Sequence, residues 1–253
     1  MPGERPFLPY GRHFIEDDDI EAVTDVLRGE FLTTGPVVDA FENKLAEVTG
    51  ARHVVSCSSG TAALHLTASA LDLGPGDWAI VPAMTFLATA NAARYVGADV
   101  IFADVDAETG LMTSETFEAA RATAVGSVKA VYPVHINGQT ANMAAIRQVA
   151  GDMPIVEDAC HALGGVHKAA NGEWVPVGSC AYSEMSIFSF HPVKTVAMGE
   201  GGAVTTNDDH LAERLRRHRN IGMNRNPETI ENAGQAFDTS GEINPWYYEM
   251  PEL

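Results

Sequence analysis

Only three cysteines occur in this chain of 253 residues, Cys57, Cys160 and Cys180. Their number is odd and their spacing is not that of metal ligands, which argues against a disulfide framework and for reduced, buried thiols. The nine histidines form no His-x-x-x-His or similar cluster, so no metal is expected. Basic residues are scarce, 16 Lys+Arg against 34 Asp+Glu, for a net charge of −18. So acidic a chain is unsuited to neutralising phosphates, which excludes nucleic acid as a partner. No apolar run approaches the ~20 residues of a membrane-spanning helix. Met1-Pro2-Gly3-Glu4-Arg5 lacks the apolar core of an export leader. These absences predict a cytoplasmic protein with no membrane partner. Gly-x-Gly-x-x-Gly and Gly-Lys-Ser/Thr runs are also missing, so neither a dinucleotide fingerprint nor a Walker loop is present.

What the chain does have is alternation. Apolar residues make up 45% and glycines number 23, which suits one large domain with many tight strand–helix turns. Asp17-Asp18-Asp19 precedes Ile20, Val23, Val26 and Leu27, an amphipathic helix with acids at its positive end. A second helix is expected over 37–48, ending at Gly50. Strand-like 54–55, 79–81, 100–103, 128–132 and 155–156 then alternate with helix-like 61–72, 86–96, 114–122 and 141–150. A glycine-rich stretch follows, then strands at 186–190 and 203–206 and a helix at 208–219. The pattern predicts an α/β fold with a mostly parallel sheet and helices on both faces. Residues 226–245 read as a polar loop. Arg214, Arg216, Arg217, Arg219 and Arg225 read as a solvated helix face.

Four elements carry chemistry. Lys194 follows the apolar Ile187-Phe188-Ser189-Phe190 and precedes Gly199-Glu200-Gly201-Gly202, a placement suited to an amine that attacks a carbonyl carbon. Asp158 ends the strand-like Met153-Pro154-Ile155-Val156, at the sheet edge where ligands collect. A carboxylate there can keep a pyridinium nitrogen protonated, although a helix N-cap would read the same way. Ser56-Cys57-Ser58-Ser59-Gly60-Thr61-Ala62 opens a helix with small residues, either a phosphate cradle or an ordinary capped start. Phe86, soon after a strand, could stack on a flat ring or sit in the core. Taken together, the four describe one site better than four separate bland features.

In these motifs the chain resembles the DegT/DnrJ/EryC1/StrS sugar aminotransferases, which are fold-type I enzymes. The likeness includes Phe31-Leu32-Thr33-Thr34-Gly35-Pro36, the Ser-Ser-Gly-Thr-Ala-Ala-Leu run, His135-Ile136-Asn137-Gly138-Gln139, Glu157-Asp158, Ser-x-His-x-x-Lys and Arg219-Asn220-Ile221-Gly222. It implies pyridoxal phosphate as cofactor, held by Lys194 as a Schiff base. Asp158 would pair with the ring nitrogen, with His161 near the 3-hydroxyl and Phe86 stacked on the ring. Gly60, Thr61, Ala62 and Ser189 would take the phosphate. Thr33, Thr34 and Gly35 would lie toward the sugar-nucleotide entrance. The implied partners are glutamate, a nucleotide-linked 4-keto-deoxysugar and a second copy in a homodimer. Pro-x-x-Thr-Phe-x-Ala-Thr, Phe-Ser-Phe-His-Pro-Val-Lys and Trp246-Tyr247-Tyr248-Glu249-Met250 are similar to the branch acting on UDP-4-keto-6-deoxy-hexosamines in pseudaminic acid synthesis. The expected organisation is an N-terminal segment over 1–35, a cofactor-binding large domain over 36–225, and a loop over 226–253. By resemblance that loop leads to a small C-terminal domain this chain lacks, together with an Asn that reaches a neighbouring subunit's phosphate. The alternative expectation is a non-catalytic fragment that binds the cofactor weakly or pairs with a full-length subunit.

Overall fold

Caps and turn glycines set the ends of the elements. The structure is a computed structural model and describes residues 7, 11–169, 171–222 and 240–241. Helix α1 (Asp17–Arg28) opens on its three aspartates, which face the positive end of the helix dipole. Helix α2 (Pro36–Thr49) begins on a proline and ends on Gly50, whose left-handed φ of 76° lets its N–H reach Ala46. Strands and helices then alternate: β1 (His53–Cys57), α3 (Gly60–Ala70), β2 (Asp77–Pro82), α4 (Leu87–Tyr95), β3 (Asp99–Ala103) and α5 (Ser114–Ala122). After β4 (Ser127–Val131) and a 3-10 turn at Ile136–Gly138 come α6 (Met143–Ala150) and β5 (Val156–Asp158). A hairpin of β6 (Val166–Lys168) and β7 (Trp174–Pro176) leads to β8 (Met185–Ser189), β9 (Gly202–Thr206) and α7 (Asp209–Arg219).

Bridges from Val131 to Ile155 and from Val134 to Asp158 join two ladders into one sheet, ordered β1-β9-β8-β5-β4-β2-β3. Every neighbouring pair is parallel except those of β9, which runs against both β1 and β8. The reversal has a simple cause. No helix lies between β8 and β9 to carry the chain back for a parallel crossover, so it returns antiparallel. The mostly parallel α/β sheet is as expected. The hairpin was not legible, because three-residue strands are too short to show a period of two.

Helices cover both faces. Val55, Val81, Val156, Ile187 and Val204 pack with α3, α4 and α7. On the other face Ile80, Val131 and Ile155 pack with α5 and α6, and Val54, Phe188 and Ala203 with α2. Strands buried on both sides read as unbroken apolar runs, which is why the sequence located them. Helix α1 buries none of its residues. The basic run differs from the solvated face expected: Arg214 pairs with Asp72, Arg217 with Glu213 and Arg219 with Glu42. Arg225, Trp246–Met250 and most of the expected 226–253 loop lie outside the described residues.

Candidate active site

The carboxyl ends of the parallel strands open onto one cavity of about 750 Å³, at the edge where open α/β sheets gather ligands. Gly60 and Thr61 reach its wall after β1, Phe86 after β2, Asp158 and His161 from β5, and Ser189 and Lys194 from β8.

Asp158 ends β5 and is only 4% exposed. Its N–H donates to Pro133 at 2.8 Å and its carbonyl accepts from His135 at 3.0 Å, so its backbone is fixed on both sides. The hydroxyl of Thr89 donates to Oδ2 at 2.7 Å, and the Cys160 N–H donates to Oδ1 at 3.3 Å. Among the described residues no basic side chain forms an ion pair with it. A buried carboxylate with two neutral donors and no cation suits a ligand that brings a cationic N–H.

The turn from β1 into α3 leaves N–H groups open at the start of a helix. Ser59 caps the helix, its Oγ accepting from the Ala62 N–H at 3.1 Å, and the Ala63 N–H bonds the Ser59 carbonyl at 2.9 Å. Helix geometry leaves the N–H groups of Gly60 and Thr61 without an intrahelical acceptor, at the positive end of the dipole. Gly60 is required there by space. A Cβ on it would lie 2.7 Å from Cβ of Ser189 and 3.2 Å from Sγ of Cys160, so the loops after β1, β5 and β8 meet at this point.

Lys194 is half-buried on the loop between β8 and β9, its N–H bonded to the His191 carbonyl at 2.8 Å. His161 accepts the Asn137 N–H on Nδ1 at 3.1 Å. Burial, then the charge of Lys194, hold the His161 imidazole below its ordinary 6.5, against the opposing pull of Asp158. Burial pushes the Cys57 thiol up to about 11. Burial, followed by the charge of Asp158, raises Cys160 well above its usual value. Neither thiol supplies a thiolate near neutral pH, in keeping with the reading of both as inert small residues.

Four expected positions are not on the cavity wall: Thr33, Thr34, Gly35 and Ala62. Gly35 admits the close approach of Phe31, whose Cβ a side chain at 35 would meet at 2.4 Å. Ala62 lies one residue past the wall and its N–H is taken by Ser59. Phe86 lines the cavity mouth but is 71% exposed. Sequence reasoning assigned no role to Thr89 or Glu200. Thr89 sits one turn into α4, where hydroxyls also bond their own helix, so nothing in the sequence marked it as the partner of Asp158. Glu200 lines the cavity from the glycine-rich run after Lys194, and its charge there was visible in the sequence.

An amine, a buried carboxylate and paired N–H groups around one cavity suit a flat ligand with a carbonyl, a basic ring nitrogen and a phosphate. Comparison with known proteins agrees. A UDP-4-amino-4-deoxy-L-arabinose–oxoglutarate aminotransferase of Shewanella sediminis (strain HAW-EB3) is 38% identical over 250 residues, 98% of this chain and 61% of that protein. The putative sugar aminotransferase Spr1654 of Streptococcus pneumoniae, solved in a PMP form, superposes with a TM-score of 0.77 at 29% identity, over 87% of this chain and 59% of its own. Helicobacter pylori PseC, an aminotransferase of pseudaminic acid biosynthesis, shares the fold with a TM-score of 0.79 at 24% identity, over 97% and 60% of the two chains. The chain thus spans about three fifths of the length of these relatives. The DegT/DnrJ/EryC1/StrS aminotransferase profile matches residues 13–240. The chain belongs to that family, whose aminotransferases depend on pyridoxal phosphate.

Proposed function

We propose that this chain moves an amino group from glutamate to the keto carbon, C4, of a nucleotide-linked deoxysugar. The reading rests on one observation: Lys194, Asp158 and the open N–H groups of Gly60 and Thr61 share a single cavity. The residues fit pyridoxal phosphate. Asp158 is a buried carboxylate with no basic side chain paired to it among the described residues, and the Gly60 turn is open where a phosphate would need bare N–H groups. The cofactor, when bound, supplies the electron sink for the carbanion.

The chain's own residues do the rest. Asp158 would hold the proton of the ring nitrogen. Gly60, Thr61 and Ser189 would take the phosphate, Phe86 would stack on the ring, and His161 would lie near the 3-hydroxyl. Nζ of Lys194 would hold the cofactor covalently until the donor's amine displaces it, and the freed amine would then move a proton between the substrate carbon and the cofactor carbon. The Shewanella relative's name places nitrogen at sugar C4 and oxoglutarate as the keto acid, which supports a 4-keto nucleotide sugar and a glutamate donor. A UDP-4-keto-6-deoxy-hexosamine is the substrate to which the Phe-Ser-Phe-His-Pro-Val-Lys motif points. The entrance role of Thr33, Thr34 and Gly35 rests on the family resemblance. So does the homodimer, although the apolar side of α1, with Ile20, Val23 and Leu27 exposed, favours it.

The test is spectroscopic. Folded protein with added pyridoxal phosphate should gain a near-visible band that glutamate bleaches. Borohydride reduction, digestion and mass spectrometry should find the pyridoxyl group on the Lys194 peptide. Lys194→Ala should remove both signals while its circular dichroism stays unchanged. Labelling of another lysine, or a band that survives in that variant, would overturn the assignment. Adding UDP-4-keto-pentose or UDP-4-keto-6-deoxy-hexosamine to the glutamate-treated protein then identifies the sugar by which one restores the band.

A further inference from the structure

On the face of the sheet away from the cavity lies a buried polar cluster that the proposed chemistry does not use. Glu157 and His135 are both fully buried. Nε2 of His135 meets Oε2 of Glu157 at 2.9 Å, and the Ser183 hydroxyl donates to Oε1. On the other side of the ring, the Ala141 N–H donates to Nδ1 of His135 at 3.1 Å. A main-chain N–H meets an imidazole nitrogen only where that nitrogen carries a lone pair. The proton of His135 is therefore on Nε2, and the ring is a neutral donor to the carboxylate.

This arrangement closes residues 135–141 into a clipped loop whose base is the His135 ring. Inside the loop sits the 3-10 turn, with Asn137 held at a left-handed φ of 53°. That conformation aims the Asn137 N–H at Nδ1 of His161. The same logic as for His135 puts the His161 proton on Nε2. With Nδ1 occupied, Nε2–H is the donor that His161, a cavity-wall residue, has left for a ligand. The turn and His161 are in close approach, since a Cβ on Gly138 would lie 3.1 Å from the His161 carbonyl oxygen. The turn is also tied to the strand that carries Asp158 through the His135 N–H.

We propose that His135 and Glu157 are positioning residues for the cavity: they clip the 135–141 loop so that Asn137 fixes His161 as its Nε2–H tautomer. A buried pair on the back of the sheet thereby sets which hydrogen-bonding atom the front presents. Partners that hold a metal-ligating histidine have this effect, and losing one weakens the site on the order of tenfold or more; the same order is expected here. Only the cofactor arm of the test rests on the pyridoxal phosphate reading.

The experiment is 15N NMR of the full chain labelled at histidine, with and without pyridoxal phosphate. His161 is assigned by the pair of signals lost in His161→Asn. In the wild-type chain near neutral pH, Nδ1 of His161 should fall in the unprotonated range and Nε2 in the protonated range. Glu157→Met leaves Nε2–H of His135 without an acceptor. If folded, it should show His161 as a mixture of tautomers and weaken pyridoxal phosphate binding about tenfold. Glu157→Gln, whose amide oxygen can still accept from His135, should restore both. The proposal is overturned by His161 carrying its proton on Nδ1 in the wild type. It is equally overturned by a folded Glu157→Met that keeps the wild-type His161 signals. Should Glu157→Met fail to fold, the wild-type spectrum alone decides. Failure of the wild type to bind pyridoxal phosphate, with the Nε2–H pattern intact, would count against the proposed function and not against this positioning role.

Discussion

Glu157 and Asp158 are adjacent on β5, yet they occupy opposite environments. Asp158 faces a cavity large enough for a cofactor and makes two hydrogen bonds to neutral donors. Glu157 faces a sealed interior and is bound by His135 and Ser183. One residue of pleat separates a carboxylate kept available from one fully satisfied. The front of the sheet thus opens its carboxylate to a cavity, whereas the back seals Glu157 among protein donors.

The largest expected effect lies at the front. Asp158→Asn can still accept from Thr89 but cannot hold a proton on the ring nitrogen. The spectral change driven by glutamate, followed by stopped flow, should slow on the order of 10²–10³-fold, the loss typical of removing one preorganised electrostatic partner, with the fold retained. A slowing of less than tenfold would erase the functional difference between the two acids.

The front was also the more legible face in the sequence. Lys194, Asp158, Gly60 and Phe86 each had an ordinary reading, and only their combination pointed to one site; all four line the cavity. The back was not legible. Glu157 and His135 are 22 residues apart, and nothing local marks a histidine as the clip of a loop. His167 likewise stands in a short strand with neither ring nitrogen partnered by protein. The parallel strands were visible as apolar runs, whereas the β9 reversal depended on what was missing between β8 and β9. Thr33 to Gly35 were placed by motif alone, and the cavity wall does not include them.

Two glycines give a sharper contrast of intermediate size. At the front, Gly60→Val would push into Ser189 and Cys160. At the back, Gly178 has a φ of 86°, and a Cβ there would lie 2.5 Å from the Phe188 ring. Gly60→Val and Gly178→Ala should each cost about 1–3 kcal/mol by overpacking, read as a lower Tm. Only Gly60→Val should also weaken pyridoxal phosphate binding, measured by titration of the near-visible band. Equal losses of affinity in both would show that the faces are not separable.

The smallest expected effect is a change of slope with pH. Burial works to raise the Glu157 carboxyl, but the hydrogen bonds it accepts from His135 and Ser183 outweigh it and hold the group below its ordinary 4.5. A depressed folded value means that the unfolded chain takes up the proton first. The stability from Glu157 is therefore fully present above 4.5 and is lost as pH falls through the lower folded value. Burial also lowers His167, against the pull of Glu157, with the same sign, but that loss begins below the ordinary histidine value of 6.5. The histidine loss starts at 6.5 and the carboxylate loss only at 4.5. Denaturant unfolding of the wild type and Glu157→Gln, measured from pH 7 to pH 3, should give curves that converge below about 4.5. Curves that stay parallel throughout would mean that Glu157 is protonated in the folded chain, and that the back face holds no charge to contrast with the front.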